Sequence, residues 1–124
     1  VLIHDVARPL INAKCITDVI EALQTHSGAA PALPITDALW RGQDGLVDET
    51  VARENLFRAQ TPQGFDFESI LQAHAQACGA AADDVEVAMQ AGLSVKIISG
   101  HEENIKITIP EDFERASKIM KDRR

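Results

Sequence analysis

The sequence predicts an α/β domain with a mainly parallel sheet, helices on both faces and one inserted β-arm. Three observations carry this. Short strand-like runs stand at Val1–Ile3, Ala29–Ile35 and Val95–Ser99, the first two apolar on both faces. They alternate with stretches whose apolar residues recur at helical spacing. A Trp-bearing segment around Asp44-Gly45 fits neither pattern.

Val1–Ile3 reads as a short buried parallel strand, ended by Asp5 and by Pro9, which cannot continue a ladder. The chain opens on Val1-Leu2-Ile3-His4-Asp5 with no Met and no preceding turn. That is a strand entered midway, so the natural protein is expected to begin upstream and this chain to lack an N-terminal portion. Asn12 caps a helix to about His26 through Ile16, Val19, Ile20 and Leu23, and Gly28 terminates it. Ala29–Ile35 is the second strand.

Trp40 to Val47 reads as a hairpin turning at Asp44-Gly45. It belongs to an arm, about residues 36–51, that packs on something else, such as a partner subunit. Gln60-Thr61-Pro62-Gln63-Gly64-Phe65 is polar, broken by Pro and ended by Gly, hence a loop. Asp66 caps a helix with Phe67, Ile70, Leu71 and His74 on one face, ending near Gly79. Asp83-Asp84 opens a short helix to about Gln90. Val95–Ser99 and Asn104–Thr108 are strands. Pro110, with Glu111 and Asp112 behind it, starts the last helix, whose stripe is Phe113, Ala116 and Met120.

Composition narrows the function. The chain has 124 residues, 45% hydrophobic and 25% charged, the size and balance of one globular domain spanning residues 1–124. The net charge of −7 argues against a broad nucleic-acid surface, though not against a phosphate pocket, which needs only a few placed cations. No apolar run approaches the roughly 20 residues of a membrane span. Cys15 and Cys78 lack metal-ligand spacing and read as reduced core thiols. The four histidines share no metal-binding spacing either.

Function in open α/β sheets collects at the carboxyl ends of strands, which draws attention to His4, Asp5 and Arg8. An Asp there binds a hydroxyl or a divalent cation, and an Arg three residues on grips phosphate. A local Asp–Arg pair that merely shapes the turn is the commoner outcome of that spacing. Lys106, alone between Ile105 and Ile107, points away from both if the segment is extended. It meets a phosphate oxygen or is a solvated edge residue. Arg53 and Arg58 flank the end of the arm. Thr61, held extended by Pro62, caps the backbone or binds phosphate.

Four segments in order add a resemblance. They are His4-Asp5-Val6-Ala7-Arg8-Pro9, Glu49-Thr50-Val51-Ala52-Arg53, Ala59-Gln60-Thr61-Pro62-Gln63-Gly64-Phe65 and Asn104-Ile105-Lys106-Ile107-Thr108-Ile109-Pro110-Glu111-Asp112. Their order and spacing resemble the 2-C-methyl-D-erythritol 4-phosphate cytidylyltransferase family over nearly the whole chain. The resemblance implies a Rossmann-like nucleotidyltransferase fold and a homodimer joined through the arm. It implies transfer of a cytidylyl group from CTP to methylerythritol phosphate with Mg²⁺, in isoprenoid synthesis by the non-mevalonate route. By position, Lys106 and Arg53 place the substrate phosphate, Arg53 being delivered from the partner's arm. Asp5 stands at the substrate polyol and the metal, Arg8 beside it, and Thr61 close to the substrate.

The sequence departs from the family pattern in Ala38 and Ala82, where threonine is frequent, and in Glu102-Glu103, where a basic or aspartate-containing stretch is common. A metal role for Glu103 is left open. The family's Gly-rich CTP loop falls before Val1, so this chain alone is expected not to turn over. A sister activity on ribitol 5-phosphate and a non-catalytic, arm-exchanged dimerisation module are the competing readings. The family also occurs fused to the cyclodiphosphate synthase, and reduced thiols fit the bacterial cytoplasm or, after removal of a transit peptide, the plastid stroma.

Overall fold

The computed structural model describes residues 1–124. The order is β1 (Leu2–Ile3), α1 (Ala13–Ala22), β2 (Gly28–Pro34), β3 (Leu39–Gln43), β4 (Leu46–Val51), β5 (Phe57–Ala59), β6 (Gln63–Phe65), α2 (Phe67–Gln76), α3 (Asp84–Gln90), β7 (Val95–Ser99) and α4 (Pro110–Asp122).

The α/β class and the helices on both faces stand, but the sheet is mixed rather than mainly parallel. Only β2 and β7 pair in parallel, from Gly28↔Val95 to Ala32↔Ser99. β1 pairs antiparallel with β6, and β2 antiparallel with both β5 and β6. The reason lies in residues 57–65, expected to be irregular through Phe65. They return along one edge of β2 as a single interrupted strand. Ala29↔Gly64 and Ala32↔Ala59 are in register, so Ala30 and Pro31 face the four residues Gln60–Gln63. The bulge between them is where Thr61 emerges, a place bulges often serve.

Strand alternation divides the core between two faces. Leu2, Ala29 and Ile98 lie against Val19, Ala22 and Leu23 of α1 and its C-terminal end. Ile3, Phe65 and Val95 lie against Ile70, Ala73, Val87 and Ala88 of α2 and α3. Gly64 sits under α1 because nothing larger fits: a Cβ there would stand 2.5 Å from Val19 Cγ1.

Caps follow the sequence. Asn12 Oδ1 accepts from Cys15 N at 2.8 Å, Asp66 from Ser69 N at 3.1 Å and Asp83 from Glu86 N at 2.9 Å. Gly28 does not end α1, which stops at Ala22; it opens β2, where Phe65 and Val95 leave no room for a side chain. Of the expected α2 face only Ile70 is buried, together with Ala73, while Phe67, Leu71 and His74 are exposed. Of the α4 stripe only Ala116 is buried. Cys15 is buried and Cys78 exposed, both free thiols. Burial holds the Cys15 thiol above its ordinary pKa.

The hairpin turns where expected. Asp44 and Gly45 take φ of 53° and 79°, the positive values that a two-residue hairpin turn requires. Trp40, Leu46 and Val47 stand exposed along it. No helix is long and apolar enough to cross a membrane.

Candidate active site

Three chain segments meet beyond the end of β1. The first is the turn Asp5–Arg8, closed by Arg8 N donating to Asp5 O at 3.0 Å. The second is the bulge between β5 and β6. The third, residues 104–108, is extended without joining the sheet, contrary to the strand expected there. Its anchors include the backbone bond from Ile107 N to Ala7 O at 2.8 Å and the buried Asn104, whose Nδ2 donates to Thr61 O at 2.9 Å. Extended alternation nonetheless holds: Ile105 and Ile107 are half-buried and Lys106 is exposed between them.

These segments enclose a cleft of about 280 Å³ lined by Asp5, Arg8, Thr61 and Lys106 together with Asp83 and Asp84. Four of the five residues to which the resemblance gives a role therefore share one site. Asp5 Oδ2 is 3.1 Å from Arg8 Nε and 3.7 Å from Lys106 Nζ. Arg8 also donates through its two terminal nitrogens, to Asn104 O at 2.6 Å and Ala59 O at 3.5 Å. Its side chain is 12% exposed, whereas that of Lys106 is 51% exposed. Arg8 is thus mostly consumed in holding the cleft together, and Lys106 is the cation available to a ligand. Lys106 also borders a neighbouring cleft of about 300 Å³ that adds Arg58 and Arg115.

Arg53 is not in the cleft. It is exposed, and its guanidinium donates to the Thr36 carbonyl at the base of the hairpin. Arg58 is paired with Glu102 at 3.0 Å. Glu103 is engaged by Arg123 at 2.9 Å and does not line the cleft. Ala82 lines it and Ala38 does not.

Sequence reasoning missed the amides that support the cleft. Gln60, Gln63 and Asn104 are all buried. Gln60 accepts from His101 N at 3.1 Å and donates to His101 O at 3.0 Å, clamping the turn before Lys106. Gln63 donates to Asp83 Oδ2 at 3.2 Å and accepts from Val85 N at 3.2 Å, seating α3. Glutamines beside Pro62 look like loop residues in sequence; only the returning strand makes them interior. Asn104 Oδ1 is buried without a partner.

The site's chemistry is that of positioning. It has one carboxylate, Asp5, between the cations of Arg8 and Lys106, and Lys106 is half exposed. The family described as 2-C-methyl-D-erythritol 4-phosphate cytidylyltransferase (IspD) matches residues 1–122.

The chain belongs to this family.

Among its relatives, the bifunctional enzyme IspD/IspF of Rhodobacter capsulatus is 60% identical over 124 residues, all of this chain and 33% of that protein. The 2-C-methyl-D-erythritol 4-phosphate cytidylyltransferase of Roseobacter denitrificans is 54% identical over 123 residues, 99% of this chain and 56% of that protein. The crystal structure of the cytidylyltransferase of Thermus thermophilus superposes with a TM-score of 0.91 at 34% identity, covering 97% of this chain and 61% of that one. The chain thus spans between a third and three fifths of the length of these IspD proteins.

Proposed function

We propose that the protein transfers the cytidylyl group of CTP to 2-C-methyl-D-erythritol 4-phosphate, releasing pyrophosphate. The observation that carries this reading is the convergence of Asp5, Arg8, Thr61 and Lys106 on one cleft in a chain of the IspD family. A phosphate oxygen of the alcohol attacks the α-phosphorus of CTP. The new P–O bond forms as the bond to the β-phosphate oxygen breaks, and pyrophosphate carries away the electron pair. Two anions must approach, so the protein's task is alignment and charge neutralisation.

Lys106, half exposed at the rim, is the residue we assign to the incoming phosphate. Arg53 is assigned the same phosphate from the partner's arm. An exposed hairpin with Trp40, Leu46 and Val47 uncovered supports a homodimer formed through it. Arg8 orients Asp5 and borders the substrate, and Thr61 contacts it. Asp5 is the carboxylate that would hold Mg²⁺ beside the polyol. Magnesium is commonly held by one or two carboxylates together with substrate phosphates. A donor this cleft offers is Asp5, which lines it and whose Oδ2 is the oxygen paired with Arg8 and Lys106. The ion would supply charge neutralisation on the triphosphate. The bacterial relatives support a cytoplasmic protein.

The test is pyrophosphate release by the full-length protein with CTP and Mg²⁺, offering methylerythritol phosphate and ribitol phosphate in parallel. Turnover with the first and not the second is expected. Turnover only with ribitol phosphate would move the protein to the sister activity. Dimerisation with no turnover on either would favour the non-catalytic module.

A further inference from the structure

The geometry points to His4 as the residue that fixes the direction of the Thr61 hydroxyl and makes Thr61 a hydrogen-bond acceptor toward the substrate. The inference deepens, and rests on, the cytidylyltransferase reading given above.

The His4 ring bridges two groups. Its Nε2 lies 2.8 Å from the Arg8 carbonyl, and its Nδ1 lies 2.9 Å from Thr61 Oγ1. A carbonyl only accepts, so Nε2 must carry the proton of that contact. A neutral imidazole has one N–H, which leaves Nδ1 as an acceptor. The Thr61 hydroxyl is then the donor to Nδ1. On the same oxygen, the backbone N–H of Asp5 donates at 3.0 Å.

A hydroxyl has one proton and two lone pairs. His4 takes the proton and Asp5 N–H takes one lone pair. What Thr61 has left for the cleft is a single lone pair. A phosphate at neutral pH presents acceptor oxygens and finds no donor there. An alcohol hydroxyl does donate, and it suits the site. Thr61 therefore reads a hydroxyl of the sugar alcohol, while the phosphate falls to Lys106 and Arg53.

His4 itself does not line the cleft. It is a positioning residue that acts through Thr61, and its contact with Arg8 O also ties the Asp5–Arg8 turn to the bulge. A ring protonated on both nitrogens would reverse the Thr61 bond and release the hydroxyl proton, so the tautomer is the observable that decides the assignment.

The experiment uses the full-length protein with ¹⁵N-labelled histidine at neutral pH, joined to a double-mutant cycle of His4→Ala and Thr61→Val. The expected spectrum shows His4 as the Nε2–H tautomer, with its Nδ1 resonance moving in Thr61→Val. In the cycle, each single change is expected to raise KM for methylerythritol phosphate about tenfold, the scale of one lost hydrogen bond. The pair together should be no worse than the worse single, because one removes what the other acts through. His4→Asn, which keeps an amide acceptor near the Nδ1 position, should recover most of the loss. An Nδ1–H or doubly protonated ring would overturn the proposal whatever the kinetics. Additive effects in the cycle would overturn it too, leaving His4 as a turn-shaping residue. Should His4→Ala fail to fold, the spectrum of Thr61→Val and the kinetics of His4→Asn decide the same question. Absence of turnover would sink the functional reading and the substrate role with it, while the spectrum still judges the hydrogen-bond direction.

Discussion

The Arg8 guanidinium donates to the Asn104 carbonyl at 2.6 Å, joining residues 96 positions apart. That bond ties the end of β1 to the segment carrying Lys106. It makes two neighbouring cations differ in kind, since Arg8 is built into the scaffold and Lys106 is not.

Arg8→Lys should therefore destabilise the protein, although the charge is kept. An ammonium cannot reproduce the planar fork that spans Asp5, Asn104 and Ala59. A loss of about 2 kcal/mol is expected from charge-assisted bonds left unmade in a partly buried site. Urea unfolding of the full-length protein reads it directly. A midpoint equal to wild type would show that Arg8 contributes no such tie.

Lys106→Ala should do the opposite. Its 3.7 Å contact with Asp5 is partly exposed and contributes within about 1 kcal/mol. Stability should stay near wild type while kcat/KM with the alcohol phosphate falls on the order of 10²-fold, the scale of losing one positioned charge. Equal activity would remove Lys106 from the proposed mechanism.

Arg53 offers a test of the dimer. If each cleft is completed by the partner's arm, Lys106→Ala and Arg53→Ala proteins are separately inactive. Mixed and allowed to exchange subunits, they form heterodimers with one intact site. Random pairing in a two-fold dimer then returns about a quarter of wild-type activity. No recovery in a mixture shown to exchange would place Arg53 in its own subunit's chemistry or in none.

Asp112 links pH to stability. The backbone N–H groups of Thr108 and Ile109 and the Thr108 hydroxyl all donate to its Oδ2, and they hold its pKa below the ordinary value. A carboxyl depressed in the folded state contributes stability above its unfolded pKa. That contribution is lost as pH falls through the folded value. The unfolding midpoint should thus drop below about pH 4, and Asp112→Asn should show a shallower drop over the same range. Superimposable pH profiles would show that these bonds favour neither protonation state.

Much of this molecule is local and was readable in order. Asn12, Asp66 and Asp83 cap helices because a short acceptor side chain satisfies free N–H groups within three residues. Asp44-Gly45 turns the hairpin through backbone conformations that few other pairs adopt. The expected exposure of Lys106 between two isoleucines needed only the period of an extended chain. The motif set brought Asp5, Arg8, Arg53, Thr61 and Lys106 to attention, and the cleft holds all of them but Arg53.

The pairing partners of the strands were not readable, because an apolar run records burial and not the direction of its neighbour. So β1 and β6 came out antiparallel, and Gln63–Phe65 joined the sheet despite a loop-like composition. Tertiary structure also decided what the polar residues do. Gln60, Gln63 and Asn104 became interior supports, Arg8 spent its donors on carbonyls, and His4 met Thr61 across 57 positions. Each of these depends on a partner distant in sequence, and hydrogen-bond direction exists only once both partners are in place. The residues set which chemistry is available; the fold sets which of their donors and acceptors remain for a substrate.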